Sequence, residues 1–282
     1  MPTLRPLSFG EILDAAFVAY RRNFVVMYAT GLTAALPFAA VGAAASVPAV
    51  RAALGWWGLA LGGLLAIAAA LVVWGALQQH ASAAILEEPV TFERGYRAGL
   101  RAAPALCVLG VALGAAWVFF TFLSILGVGA GALAVGVLGV PGAVLSIFIW
   151  IGGIGAGQLA FFSVVFAAPA AAVLERRGAF AAIERGLDLS RAGIPRSMAL
   201  IGVCALIMLL PMFGSAYLSG LLRVDDLAAA TPARLIVQQT VSLLLGVLGL
   251  PFLAACMTLL YYDRRVRDEA YDVQLLTDRL VA

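Results

Sequence analysis

The stretch LIVQQTVSLLLGVLGLPFLAACMTLLYY, residues 235–262, contains no charged side chain. Six of the seven residues that follow it, DRRVRDE at 263–269, are charged. About 20 consecutive apolar residues in a helix are enough to cross the hydrocarbon core of a bilayer. This boundary therefore predicts a membrane-spanning helix whose charged end meets water.

Four other stretches also lack Asp, Glu, Lys and Arg, at residues 23–50, 52–86, 102–174 and 197–222. Three of them have the length of one span each, and the stretch 102–174 has room for two. We therefore predict six spans, at about residues 24–47, 57–85, 106–127, 144–168, 198–221 and 236–261. The predicted fold class is an all-α polytopic membrane protein with one domain, residues 1–282.

Composition supports this class and excludes others. The chain is 63% hydrophobic and 12% charged, with a mean hydropathy of +1.03, whereas a soluble domain carries about 25% charged residues. The net charge of +3 is not a nucleic-acid signal, because the basic residues border apolar stretches and are interleaved with acids. We expect a lipid bilayer as the surroundings and no nucleic-acid partner.

The distribution of arginine predicts the orientation. All 18 basic residues are arginines, and 15 of them fall in the N-terminal segment, the second and fourth loops and the C-terminal tail. Cytoplasmic loops carry the excess of positive charge, so we expect a multi-pass protein of the plasma (inner) membrane with both termini cytoplasmic. The same rule predicts aromatic residues at the two interfaces: Trp56 and Trp57 outside, Tyr261 and Tyr262 inside.

Short amphipathic helices are predicted beside the spans, at about residues 8–22, 91–101, 179–191 and 263–281. The tripeptide Glu-Arg-Gly at 93–95 recurs at 184–186, which suggests three hairpins, each preceded by a cytoplasmic amphipathic helix. In the last helix, Arg264 with Asp268 and Arg265 with Glu269 have i,i+4 spacing, which predicts ion pairs on its solvated face.

Two interpretations of these helices stay open. They lie in the membrane interface and bind anionic lipid headgroups, or they form a docking surface for a membrane or cytoplasmic protein partner. The candidate contacts are the same in both cases: Arg94, Arg97, Arg185 and Arg191.

A few polar side chains lie inside the predicted spans: Gln78, Gln79, His80, Gln158, Gln238 and Gln239. They either hydrogen-bond between helices or form a patch for a lipid headgroup or a small solute. Pro37, Pro211 and Pro251 also lie within spans, where each can kink its helix.

No catalytic, cofactor-binding or metal-binding residue is predicted. His80 is the only histidine and has no Cys or carboxylate at the spacing of metal ligands. The three cysteines lie in spans without paired spacing, and the common motifs of hydrolases, nucleotide-binding proteins and zinc proteases are absent. We therefore expect a protein that is not an enzyme.

Three segments resemble the glycerophosphoryl diester phosphodiesterase membrane-domain family. They are LRPLSFGEILD at 4–14 with YRRNF at 20–24, AP at 168–169 running into VLER at 173–176 and AAIERG at 181–186, and TLLYYDRRVR at 258–267. The resemblance implies a six-span membrane module. It implies no active site, because the family's soluble catalytic domain would bring paired histidines and metal-binding carboxylates.

These features favour a non-enzymatic scaffold or accessory subunit of a membrane or envelope process. The alternative is a permease or lipid-handling protein with an intramembrane cavity near Gln158 and the prolines. A third hypothesis is an accessory role in membrane-associated phosphodiester metabolism, beside a separate catalytic domain.

Overall fold

A computed structural model describes residues 5–139, 141–142, 144, 148, 153, 155–191, 193–221 and 232–271 of the chain. All regular secondary structure in this part is helical. The helices, in chain order, are α1 Phe9–Arg22, α2 Phe24–Ser46, α3 Pro48–Ile85, α4 Phe92–Leu138, α5 Ala156–Val165, α6 Ala167–Leu174, α7 Ala179–Ser190, α8 Ile194–Leu221, α9 Pro232–Val247 and α10 Leu250–Glu269.

Five helical segments among the described residues are long and apolar enough to cross a membrane: Phe24–Ala45, Pro48–Ile85, Phe92–Gly127, Ala156–Leu174 and Thr240–Glu269. A sixth is obtained if α7 and the first part of α8, which are bent by 106° relative to each other, form one broken span. The prediction of an all-helical fold with several helices long and apolar enough to span a membrane is therefore confirmed. Residues 145–147, 149–152 and 154 of the predicted fourth span at 144–168 lie outside the described residues.

Two of the predicted amphipathic helices are not separate elements. Residues 92–101 form the start of α4, which continues through Pro104 into the apolar stretch. The polar segment from residue 263 is likewise the end of α10, which ends where Ala270 adopts a left-handed conformation with φ of 49°. Neither junction contains a glycine or a polar turn, so the helix has no reason to end there. Residues 272–282 of the predicted last helix lie outside the described part.

The core of the bundle is built around α3, α6 and α10. α3 packs against both α2 and α4, and α10 packs against α1 and α3. Tyr261 and Tyr262 of α10 are buried, whereas Trp56 and Trp57 are 84% and 89% exposed. Both tyrosines therefore pack against neighbouring helices of the bundle, and their place at the inner interface stays a prediction.

Two glycines let α3 and α4 cross at very short range. A Cβ atom added to Gly75 of α3 would lie 3.1 Å from Cα of Gly99 on α4. A Cβ atom added to Gly99 would lie 3.1 Å from the backbone nitrogen of Ala76. Small residues allow helix backbones in a membrane to approach in this way.

Candidate functional site

The charged segments of the chain meet at one end of the bundle, which we call the arginine-rich end. Asp263 of α10 is buried and accepts a hydrogen bond of 2.8 Å from the backbone N–H of Leu7. Its other oxygen lies 3.0 Å from Nε of Arg267 and 3.5 Å from Nη1 of Arg196. The carboxylate thus ties the N-terminal segment to α8 and α10.

Arg264 is also buried, with 3% of its surface exposed. Its guanidinium group donates to the carbonyl oxygen of Gly193 and, at 3.1 Å, to Oγ of Ser197. The prediction that Arg264 lies on a solvated face is wrong, because α10 continues without a break and Arg264 sits one turn after the buried Leu260. The predicted pair of Arg265 with Glu269 is present at 3.2 Å.

A second charged cluster surrounds Arg185 of α7. Its guanidinium group binds both carboxylate oxygens of Glu269, with Nη2 at 2.7 Å from Oε2, and its Nε lies 3.0 Å from Oε1 of Glu175. The hydroxyl of Tyr261 also donates to Glu175. Burial alone would raise the pKa of Glu175, but the hydrogen bonds from Tyr261, Arg185 and Arg177 outweigh it and lower the pKa below its ordinary value.

The repeated Glu-Arg-Gly tripeptide has comparable surroundings at both places. Arg94 pairs with Glu88, which follows α3, and Arg185 pairs with Glu175, which follows α6. The two pairs differ in solvation, because the Arg94 side chain is 48% exposed and the Arg185 side chain is 15% exposed. Arg185 is therefore held inside the protein, whereas Arg94 remains accessible to a ligand.

The three neighbouring polar residues of α3 point in different directions, since successive helix residues are about 100° apart. His80 is buried, with Nε2 3.1 Å from Oγ1 of Thr30. With its amide oriented to satisfy both neighbours, Gln78 donates to the carbonyl oxygen of Pro169 at 3.1 Å and accepts from Nε1 of Trp74 at 3.3 Å. Gln79 instead lines an open cleft at the arginine-rich end.

The other predicted residues are dispersed. Gln158 is half-buried on α5 and does not join the patch. The side chains of Gln238 and Gln239 on α9 lie outside the described residues. Arg97 pairs with Glu93 one turn earlier, and Arg191 is 80% exposed beside Asp188.

An apolar cavity of about 450 Å³ lies between helices α3, α4, α5, α6, α8 and α10. It is lined by Trp74, Leu113, Phe162, Val165, Phe166, Pro169, Ile201, Ala205, Met208, Leu253 and Met257. Sequence reasoning missed these residues, and no local motif marks them, because they come from six separate helical segments. The two residues that hydrogen-bond Gln78, Trp74 and Pro169, are both part of the lining.

Among the residues that the structure describes, no group of three His, Cys, Asp or Glu side chains could hold a metal ion. No family model matches this chain, and no curated protein and no solved structure matches it. The resemblance to the phosphodiesterase membrane-domain family therefore stays a prediction.

Proposed function

We propose that this protein is a lipid-handling integral membrane protein that holds the apolar chain of a membrane lipid in the cavity between its helices. The cavity carries the proposal. Its volume of about 450 Å³ lies in the range of about 300–1,000 Å³ that is typical of ligand sites. In a bilayer, the molecules available to fill an apolar space of this size are lipids.

Gln78 leaves the wall of the cavity apolar. Its fully buried amide binds the carbonyl oxygen of Pro169 and the indole N–H of Trp74, and Gln78 is not itself part of the lining. The polar atoms of Trp74 and Pro169 are therefore occupied, which favours the apolar chain of a lipid as the occupant. The proposal includes six spans in three hairpins, cytoplasmic termini and a place in the inner membrane.

Native mass spectrometry of the protein purified in a mild detergent tests this proposal. The wild type should retain one lipid, and Ala205→Trp should lose it, because Ala205 lines the cavity at its exposed edge and a large side chain there obstructs it. The control is Ala199→Trp, on the exposed surface of the same helix and outside the lining. A wild-type protein free of lipid, or equal retention by both variants, would overturn the proposal.

Scaffolding at the arginine-rich end is the second proposal. It is supported by the buried contacts of Arg185 and Asp263, which join α7, α8, α10 and the N-terminal segment into one platform, with Arg191 exposed at its edge. It predicts a stoichiometric protein partner that is lost in Arg191→Ala. An accessory role in phosphodiester metabolism stays a prediction without a supporting contact.

A further inference from the structure

The cleft that Gln79 lines is strongly basic, and we call it the basic cleft. It has a volume of about 360 Å³ and is lined by Gln79, Thr91, Glu93, Arg94, Arg97, Ala98, Arg101 and Arg176. Three of its arginines, at positions 94, 97 and 101, share one face of α4 because they are three and four residues apart. The fourth, Arg176, comes from the turn after α6.

Two of these four cations lack a carboxylate partner. Arg94 pairs with Glu88 and Arg97 pairs with Glu93. Within the described part of the chain, neither Arg101 nor Arg176 makes an ion pair or a hydrogen bond. The basic cleft thus has an excess of two positive charges over the carboxylates that pair with it among the described residues.

The backbone at Arg176 is strained. Arg176 has a φ of 56°, a left-handed conformation that glycine adopts freely and that costs other residues about 1 kcal/mol. Glycine is the common residue at this position after a helix. Glu87 after α3 and Ala270 after α10 adopt the same conformation, so it is a usual way for a helix to end, and here it places an unpaired cation in the cleft.

An apolar groove of about 540 Å³ adjoins the basic cleft and shares Ala98, Arg101 and Arg176 with it. The rest of its lining is mainly apolar and comes from α4 and from α6 to α7: Ala102, Pro104, Ala105, Val108, Ala172, Val173, Arg177, Gly178, Ala179 and Phe180. The one charged residue of this set, Arg177, pairs with Glu175. The two unpaired arginines therefore stand at the boundary between a basic surface and an apolar one. No residue of either surface lines the cavity of the proposed function.

We propose that the basic cleft and the apolar groove together bind one lipid whose headgroup ends in a phosphate monoester. The phosphate pairs with Arg101 and Arg176, and an acyl chain lies along the groove beside Val108 and Phe180. A phosphate monoester carries close to two negative charges at neutral pH, which matches the two uncompensated guanidinium groups. Arginine also binds phosphate through two parallel hydrogen bonds. A phosphodiester headgroup supplies one negative charge and leaves one cation unpaired.

The test measures binding of dioctanoyl phosphatidic acid to the purified full-length protein by native mass spectrometry. Dioctanoyl phosphatidylglycerol, a phosphodiester, and inorganic phosphate serve as competitors. Phosphatidic acid should bind, and either competitor should be needed at an excess of roughly tenfold or more to displace it. Equal competition by phosphatidylglycerol would refute the phosphate monoester, and equal competition by inorganic phosphate would refute the contribution of the groove.

Variants that should fold like the wild type test where the lipid binds. Arg176→Asn and Arg176→Gly remove the cation and suit a left-handed backbone, so they should fold and bind phosphatidic acid roughly tenfold more weakly. Val108→Trp should block the groove with the same effect. The matched control Arg22→Asn, at an exposed arginine of α1 outside both surfaces, should bind like the wild type. Unchanged binding in the Arg176 variants would overturn the assignment, whatever Ala205→Trp does to the cavity.

Discussion

The guanidinium group of Arg185 binds both carboxylate oxygens of Glu269, which joins α7 to the last turn of α10 across 84 residues of chain. The same side chain reaches Glu175 at the end of α6. Three elements that are distant in sequence are therefore connected through one arginine at the arginine-rich end.

Arg185→Ala should destabilise the protein, because it removes the hydrogen bonds that connect the partly buried carboxylates of Glu175 and Glu269. Each carboxylate keeps another arginine, Arg177 for Glu175 and Arg265 for Glu269, so the loss should exceed the roughly 1 kcal/mol of a surface pair and stay below the roughly 3 kcal/mol of an uncompensated buried charge. The measurement is the midpoint of thermal unfolding in detergent. Arg94→Ala is the matched control, since Arg94 is the equivalent residue of the first Glu-Arg-Gly tripeptide but pairs at the surface, where a pair contributes at most about 1 kcal/mol. Equal effects of the two changes would contradict this assignment.

Asp263→Asn should release the N-terminal segment. The change removes the negative charge that Arg196 and Arg267 share, and both arginines also donate to the carbonyl oxygen of Leu7. Hydrogen exchange should become faster in residues 7–12, and protease should cleave there sooner. Asp188→Asn, at a carboxylate that is 64% exposed, should leave both measurements unchanged. Protection that survives Asp263→Asn would show that other contacts hold the segment.

Gly99→Ala should destabilise the crossing of α3 and α4. The added methyl group would lie closer to the carbonyl oxygen of Val72 than van der Waals contact allows, and overpacking of this kind costs on the order of 1–3 kcal/mol. Gly114→Ala on the same helix meets no atom within 4 Å and should be neutral or slightly stabilising, because alanine favours helix. The measurement is the midpoint of thermal unfolding of Gly99→Ala and Gly114→Ala in the same detergent.

Low pH should lower the stability of the folded protein by protonating Glu175. The pKa of this carboxyl group is lowered below its ordinary value of 4.5, so its contribution to stability is complete above pH 4.5 and is lost as the pH falls through the lowered value. The thermal midpoint should therefore fall as the pH drops below 4.5. Glu175→Gln should be less stable at pH 7 and should lose part of this acid dependence. A midpoint that is independent of pH down to 3 would contradict the role of Glu175.

Protonation of Glu11 should also lower the stability of the protein at low pH. The backbone N–H of Ser8, the Arg5 guanidinium and the Ser8 hydroxyl lower its pKa to about 2. Because Glu11 is solvent-exposed, its share should shrink in high salt, whereas the share of the partly buried Glu175 should persist.

Several features could be predicted from the sequence. The charge-free stretches predicted the helical membrane class because a bilayer excludes unpaired charge from long segments. The repeated Glu-Arg-Gly tripeptide indicated that residues 93–95 and 184–186 have related surroundings, and the structure gives each arginine a glutamate at the end of the preceding helix. Local patterns of this kind depend only on the helical period and on hydropathy.

The spacing of the glycines in α4 did not predict which of them contact α3. Gly95 and Gly99 form the pair that approaches α3 most closely, but they lie in a segment predicted to be a separate surface helix. Gly110 and Gly114 have the four-residue spacing of small residues that is common where membrane helices pack. Gly110 lies against Leu71 of α3, but a Cβ atom added to Gly114 meets no atom within 4 Å. Spacing alone cannot tell which face of a helix meets a neighbour, since that depends on where the helix begins and how it is rotated.

The sequence by itself determined the class of the protein, the approximate positions of its spans and the segregation of its arginines, because these follow from the hydropathy of consecutive residues. Only the tertiary structure decided that Arg185 is partly buried and Arg264 buried, while Arg101 and Arg176 have no partner among the described residues. It also decided that six helical segments line one apolar cavity. The reason is physical: burial and charge pairing depend on distances between residues far apart in the chain, and one sequence pattern of alternating Arg and Glu is compatible with either outcome.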